Sequence, residues 1–337
     1  MRVLKYLAVA LLLTATTAYA QPEAETVVDG LNNPCGVAIQ PNTGHVFVAD
    51  SGAGRVIRVV DGKVEEVITG FPSDVYGKGP KYNIGPLGLA FLNENTLIVG
   101  GGGQSDGEEL LRSYEVPKAG EAAIAADKML ASHKLGGTDE IKGEGNFYGV
   151  VVAANGVFVT CNGDDTKGWV ARAAVDGNKI GPFERYIATK DTTEEVDAPV
   201  AIAVMPKTGH IVVGQMGEIT KPNDGVLTFY NAKTKKALLN LETNLYDVTG
   251  LAYSPKKNRL YALDFAWMAP AEAGLFRLDK KKKDGVQSIV NKKILGLDKP
   301  TALAFGADGS LYITVIGTAE EGSDAKPGKL IKLAPGL

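Results

Sequence analysis

The side chains that could carry out chemistry are few and lie far apart in the chain. The three histidines are His45, His133 and His210, and two of them follow the same Thr-Gly pair in two similar stretches of sequence. A shared position of this kind marks them as part of a repeat, whereas a zinc site of the usual type needs several histidines at one place. The sequence also lacks the Gly-x-Ser-x-Gly elbow of serine hydrolases. It therefore assigns no catalytic residue.

Two loops hold enough oxygen atoms to bind calcium. They run from Gln104 to Glu109 and from Asn162 to Gly168, and both are rich in Asp, Asn, Ser or Glu. Neither has the full spacing of a known calcium loop. We therefore keep a divalent cation such as calcium only as a weak expectation.

The two cysteines, Cys35 and Cys161, fall in repeats that are not neighbours. An exported chain permits a disulfide. Two buried free thiols agree equally well with the sequence, and Cys35 has no histidine near it in the pattern to activate it as a nucleophile.

The elements that must position these side chains come from a sixfold repeat. A small residue, an aliphatic strand, a tight turn and two further strands recur at steps of 52, 61, 52, 49 and 52 residues. Such a period predicts an all-β, six-bladed β-propeller with four-stranded antiparallel blades. The last repeat lacks its outer strand, so we expect residues 24–30 to complete the sixth blade. The small residues are Gly36, Gly88, Gly149, Ala201, Gly250 and Ala302.

The two faces of this propeller are predicted to differ. Turns between the first and second strands are short, whereas most connections between the second and third strands, and several between blades, are long. The long connections share one face with the mouth of the central channel, and long loops on a rigid scaffold are where binding residues concentrate. Candidate ligand or partner contacts there are Tyr82, Asn83, Asn146, Tyr148, Gln215, Met216, Asp264, Phe265 and Trp267. For an aromatic cluster in a loop, such as residues 265–268, packing of the loop itself is an equal alternative to ligand contact.

The first twenty residues have the pattern of a signal peptide. Arg2 and Lys5 precede the apolar stretch 7–13, and Ala18-Tyr19-Ala20 forms a small-x-small cleavage site before Gln21. We expect residues 21–337 to form one exported domain, periplasmic or extracellular, without a membrane span and monomeric. Without Arg2 and Lys5, 34 basic residues face 39 acidic ones, which argues against a nucleic-acid partner.

The first repeat resembles the NHL repeat. The similarity rests on Pro34-x-Gly36, Thr43-Gly44, Asp50 and the segment 54–58. The whole mature chain resembles the six-bladed superfamily that includes gluconolactonases, senescence-marker lactonases and strictosidine-synthase-like proteins.

The resemblance implies, for its lactonase members, a divalent metal at the channel mouth. Its ligands there are a Glu near the first blade and an Asn and an Asp just before the small residue of later blades. Here the matching positions hold no carboxylate and no Asn: Cys35, Leu87, Tyr148, Val200, Thr249 and Thr301. Asn146, Asp197 and Asp247 lie slightly upstream and are weak substitute ligands.

Two functions follow as expectations. The first is an exported, non-catalytic propeller that binds a partner protein or a small ligand on its long-loop face, and a structural role in the cell envelope is not separable from it. The alternative is a divergent metal-dependent hydrolase of the gluconolactonase type. The missing ligands favour the first.

Overall fold

A computed structural model describes residues 22–77, 80–163, 167–192, 198–320 and 323–337. The signal-peptide prediction for residues 1–20 and the proposed ligand Asp197 lie outside these ranges. Within them the chain folds almost entirely into strands, with two short 3₁₀ turns at Ser51–Ala53 and Thr189–Asp191. No helix in this part of the chain has the length and apolar character needed to cross a bilayer.

Six antiparallel sheets form the blades of a propeller. The N-terminal strand β1 is Ala24–Leu31; blade one follows with β2 (Pro34–Ile39), β3 (Val46–Asp50), β4 (Arg55–Val60) and β5 (Lys63–Thr69), and then the hairpin β6 (Asp74–Tyr76) and β7 (Tyr82–Ile84). Blade two has β8 (Pro86–Phe91), β9 (Thr96–Gly101), β10 (Leu111–Glu115) and, after β11 (Ile124–Ala125), β12 (Ala131–His133). Blade three has β13 (Val150–Ala153), β14 (Gly156–Cys161), β15 (Trp169–Asp176) and β16 (Lys179–Ala188).

The second half of the ring repeats the pattern. Blade four has β17 (Pro199–Val204), β18 (Ile211–Gln215), β19 (Val226–Tyr230) and β20 (Ala237–Glu242). Blade five has β21 (Val248–Tyr253), β22 (Leu260–Asp264), β23 (Gly274–Lys283) and β24 (Val286–Gly296). Blade six has β25 (Pro300–Phe305), β26 (Leu311–Val315) and β27 (Gly328–Leu333).

The ring closes through the N-terminal strand, as the sequence predicts. β1 pairs antiparallel with β27, and the register runs from Ala24 opposite Leu333 to Leu31 opposite Gly328. The fourth strand of blade six therefore comes from the start of the chain. Closure of this kind joins the first and last blades, so that the ring has no open end.

The small residue of each repeat has a steric cause. A Cβ atom added at Gly36 would collide with the carbonyl oxygen of Leu87 in the next blade, and one at Gly88 would collide with the carbonyl of Tyr148. The innermost strands of neighbouring blades approach each other most closely here, around the central channel. Only a residue with little or no side chain permits that approach.

Hydroxyl groups join neighbouring blades at the same level. Thr160 Oγ1 donates to the carbonyl oxygen of Val200 at 2.8 Å, and Thr249 Oγ1 donates to that of Pro300 at 2.9 Å. Thr301 Oγ1 donates to the carbonyl of Pro34 at 2.7 Å. These buried bonds fix the inner ends of the blades relative to each other, while separate apolar clusters fill the spaces between the blades.

Three local features differ from the sequence expectation. The segment after β5 forms the small hairpin β6–β7, and β11 adds a parallel fifth strand to the sheet of blade one. The run Lys280–Lys283 extends β23 beyond the period of the repeat, and the turn that follows it is Asp284-Gly285. Both cysteines are buried free thiols, which decides the alternative that the sequence left open.

Candidate functional site

An aromatic cavity lies at the channel mouth on the face that carries the long loops. The cavity has a volume of about 100 Å³. All six positions that precede the small residues converge on it: Cys35, Leu87, Tyr148, Val200, Thr249 and Thr301. The remaining wall comes from the loops between blades and from those that follow the second strand of a blade. We call it the channel-mouth cavity.

Four aromatic rings form one side of the channel-mouth cavity. Tyr76 and Tyr82 come from hairpin β6–β7, whereas Phe265 and Trp267 come from the loop after β22. The Trp267 ring lies edge-on to Tyr82 with centroids 5.6 Å apart, and its centroid is 5.1 Å from that of Phe265. Tyr76 completes the set at 6.5 Å from Trp267. Such packing holds the rings in fixed orientations and gives a ligand a preformed apolar wall.

Tyr148 separates the cavity from the central channel. Its side chain lines both spaces, and its hydroxyl donates to the carbonyl oxygen of Thr301 at 3.0 Å, from blade three to blade six. Burial raises the pKa of Tyr148 well above its ordinary value, so the hydroxyl stays protonated and able to donate. Tyr148 therefore forms the floor of the channel-mouth cavity.

Within the described part of the chain, the hydroxyl of Tyr82 is a buried polar atom of this wall that has no hydrogen-bond partner. Only 8% of Tyr82 is exposed, and no described residue forms a hydrogen bond with its hydroxyl. Burial, together with the nearby Asp298 carboxylate, raises the pKa of Tyr82 to about 12. A buried hydroxyl without a partner is costly, because the hydrogen bond that water supplied has been lost. A ligand with a polar atom would restore that bond.

Two buried carboxylates hold the loop that carries Trp267. Asp264 accepts hydrogen bonds from the backbone N–H groups of Tyr246, Asp247 and Ala266 at 2.8–3.1 Å. The Asp247 carboxylate accepts the backbone N–H of Trp267 at 2.5 Å. Burial raises the pKa of Asp247 to about 7, and repulsion by Asp264 and Asp224 acts in the same direction. These carboxylates lie behind the cavity wall and position it.

Six of the nine candidate contact residues lie around the cavity: Tyr82, Asn146, Tyr148, Met216, Phe265 and Trp267. The other three lie elsewhere. Asn83 is exposed on β7 and contributes its carbonyl oxygen to the Asn33 amide at 3.1 Å. Gln215 is buried inside blade four, where its amide donates to Thr228 Oγ1 at 2.8 Å. Asp264 is occupied by the backbone bonds just described.

The donor set at the cavity does not fit a hard divalent cation. Its lining, as far as the chain is described, holds no carboxylate, and the hydroxyls of Thr249 and Thr301 already donate to backbone carbonyls. Of the upstream substitutes, Asn146 lines the cavity but Asp247 lies behind Trp267. The described residues also bring no three His, Cys, Asp or Glu side chains together. Calcium requires six to eight oxygen ligands, so we derive no step through a metal.

Of the three carboxylates in the oxygen-rich loop at residues 104–109, that of Glu109 forms hydrogen bonds inside the protein. Glu109 is fully buried and accepts the backbone N–H groups of Gln104 and Leu110 at 2.7 and 2.9 Å, with Arg112 beside it. The second oxygen-rich loop, residues 162–168, is described only in part.

The thiol of Cys35 is not set up as a nucleophile. Burial raises the pKa of Cys35 to about 12, and the Asp50 carboxylate contributes to the rise. A thiol attacks as the thiolate, which is scarce here at any physiological pH. Cys35 therefore serves as a small apolar part of the wall.

Several lining residues were not predicted as ligand contacts. Among the positions before the small residues, the sequence predicts only Tyr148 as a ligand contact, although the shared place of all six in the repeat is a signal that could have identified the others. Ile84 and Ile316 come from connections of irregular length and carry no such signal.

No protein-family profile matches the chain, and no curated protein sequence matches it. Solved structures do match its fold. An oxidoreductase described as a glucose dehydrogenase, from Thermus thermophilus, superimposes with a TM-score of 0.62 at 17% identity, covering 93% of this chain and 100% of that one. A gluconolactonase from Xanthomonas campestris gives 0.61 at 14% identity, covering 93% and 90%.

The soluble aldose sugar dehydrogenase of Escherichia coli gives a TM-score of 0.60 at 13% identity and covers 93% of this chain and 99% of that one. Identities this low establish the architecture alone. The chain is a six-bladed β-propeller that shares its fold with gluconolactonase and sugar dehydrogenase structures.

Proposed function

We propose that the protein binds a small, uncharged, ring-shaped molecule in the channel-mouth cavity. The observation that carries this proposal is the composition of the wall, in which five aromatic side chains surround the space and no described residue of the lining is charged. Stacking and edge contacts with such rings favour a flat apolar ligand over a polar one.

The size of the cavity limits the ligand. Its volume of about 100 Å³ compares with roughly 150 Å³ for an apolar protein cavity that binds benzene. The ligand, or the part of it that enters, is therefore about one ring in size. The Tyr82 hydroxyl and the side-chain amide of Asn146 at the rim can each form a hydrogen bond with a hydroxyl or carbonyl on that ring.

Phenol and glucono-δ-lactone are suitable probes for calorimetric titration. Phenol should bind with one site per chain, and Tyr82→Phe should weaken it about five- to tenfold through the loss of one hydrogen bond. Tyr312→Phe on β26 is the matched control, because it removes a tyrosine hydroxyl that lies outside the cavity. If Tyr82→Phe and Tyr312→Phe changed the affinity for phenol equally, the proposal would be contradicted.

A second candidate is the divergent hydrolase of the gluconolactonase type. This proposal is supported by the names of the structural neighbours, which are those of a gluconolactonase and of sugar dehydrogenases. In this proposal a divalent cation such as calcium would use Asn146, Asp247 and Asp197, and the loop that carries Trp267 would have to shift to expose Asp247. Asp197 lies outside the described residues.

Metal analysis of the purified protein, followed by a lactone hydrolysis assay, separates the two candidates. The hydrolase proposal predicts one bound divalent ion per chain and hydrolysis of a lactone that Asp247→Ala abolishes. The binding proposal predicts phenol affinity that a chelator leaves unchanged. The binding proposal also includes export of the protein, directed by residues 1–20. It further includes the binding of a partner protein on the long-loop face.

A further inference from the structure

A second concave site lies on the opposite side of the ring, between blades four and five. Two adjoining hollows of about 390 and 250 Å³ share Met205, Phe229, Leu241 and Lys280 in their walls. They lie beside the short turns of both blades and beneath the extended hairpin β23–β24. We call them together the blade-four cleft.

The floor of the blade-four cleft is apolar. Phe229, Leu241, Leu278 and Ile289 are all less than 10% exposed and belong to the apolar cluster between the two blades. Met205 and Leu239 pack against this cluster and are half-buried. At the outer end, Leu238 is 48% exposed. The floor therefore continues from the interior to the surface, as an alkyl chain would require.

The rim of the blade-four cleft is basic. Lys207, Arg259 and Lys280 all line it. Lys207 and Lys280 are exposed, and neither forms an ion pair with a described residue. Among the described residues of the lining, Asp279 alone has a carboxylate, and Arg277 neutralises it, with its guanidinium 2.5–2.9 Å away. The rim thus offers uncompensated positive charge beside an apolar floor.

A buried hydroxyl without a partner also lies in this cleft. Tyr253 lines it, and no described residue forms a hydrogen bond with the Tyr253 hydroxyl. Burial raises the pKa of Tyr253 to about 12, so this group is a donor in the physiological range. An oxygen acceptor on a ligand would satisfy it.

We propose that the blade-four cleft binds a fatty-acyl carboxylate, with the alkyl chain against Met205 and Phe229 and the carboxylate beside Lys207 and Lys280. The apolar floor accounts for the chain, since burial of each methylene group is favourable. The basic rim and the Tyr253 hydroxyl account for the anionic head. This site is independent of the channel-mouth cavity and does not rest on the function proposed there.

The test is calorimetric titration of the purified protein with dodecanoate below its micellar concentration. We expect saturable binding of one dodecanoate per protein chain. Dodecyltrimethylammonium, which has the same alkyl chain and the opposite charge, should bind at least about tenfold more weakly. Lys207→Glu with Lys280→Glu should weaken dodecanoate about tenfold. Lys281→Glu with Lys282→Glu is the matched control, because this pair makes the same change in net charge on β23, outside the lining of the cleft.

Filling the cleft gives a second, independent test. Met205→Trp should abolish dodecanoate binding, and Leu238→Asp, at an exposed position that carries little risk for folding, should weaken it about tenfold.

Four outcomes would overturn the proposal. The first is equal affinity for dodecanoate and dodecyltrimethylammonium, and the second is unchanged dodecanoate binding in both Met205→Trp and Leu238→Asp. The third is loss of dodecanoate binding in Trp267→Ala, which would assign that binding to the channel mouth. The fourth is a protein that binds vesicles of anionic phospholipid but not free dodecanoate.

Discussion

Replacement of Asp247 by asparagine should make the stability of the protein less dependent on pH. In the folded protein burial and the carboxylates of Asp264 and Asp224 raise the pKa of Asp247 from 3.8 to about 7. The side chain is 1% exposed, so solvent screens these effects little. Asparagine retains an oxygen that can accept the backbone N–H of Trp267, and it carries no ionisable group.

The sign of the effect follows from proton linkage. Below about pH 4 Asp247 is protonated in both the folded and the unfolded states. Between about pH 4 and pH 7 the unfolded chain has released this proton while the folded protein retains it, so the free energy of unfolding falls as the pH rises. Above about pH 7 both states are ionised and the whole penalty is present. At about 1.4 kcal/mol per pKa unit, it amounts to about 4 kcal/mol.

Urea unfolding of the wild type and of Asp247→Asn between pH 4 and pH 8.5 measures this penalty. We expect similar stabilities near pH 4 and an advantage for the variant that grows to about 4 kcal/mol at pH 8. Asp29→Asn, which removes an exposed carboxylate from β1, is the control for the change in net charge. An advantage that does not change with pH, or an Asp247→Asn protein that is less stable at pH 8, would refute the reasoning.

Three further predictions concern the ring and its thiols. Gly36→Ala should lower the free energy of unfolding by more than about 3 kcal/mol in urea titrations, because the new Cβ would collide with the Leu87 carbonyl. An unchanged urea midpoint would contradict this steric account. Deletion of residues 24–31 should broaden the thermal transition and lower its midpoint by roughly 10 °C or more, since β27 loses its partner; an unaltered melting curve would contradict closure by β1. Cys35 and Cys161 should resist Ellman's reagent in the native protein and both react in guanidinium chloride, and rapid native reaction of either would contradict its burial.

The blade architecture was predictable because each repeat must solve the same packing problem. A residue such as Gly36 is small wherever two inner strands nearly touch, and this constraint appears directly in the sequence. Closure by β1 was predictable as well, since the last repeat lacks an outer strand. The resemblance of the first repeat to the NHL repeat stays a prediction.

The side chains around the site were harder to predict, because the sequence does not say which way a loop residue points. Asp264 has the same position in its blade as Asp50, and both accept backbone N–H groups from the preceding connection between blades. A comparison of these two positions would have identified Asp264 as a structural residue. The placement of Tyr82 opposite Trp267 depends on hairpin β6–β7, which forms within a single irregular connection and has no counterpart in the repeat.

The occupancy of the channel-mouth cavity can be measured through Trp267. In Trp169→Phe protein Trp267 is the one remaining tryptophan of the chain, so its fluorescence reports on the cavity wall. Titration of this variant with phenol should give a saturable change in emission. Met216→Trp, which fills the cavity from the other side, should abolish phenol binding in calorimetry. A fluorescence change that is linear in phenol, or absent while the protein remains folded, would contradict a ligand site at the channel mouth.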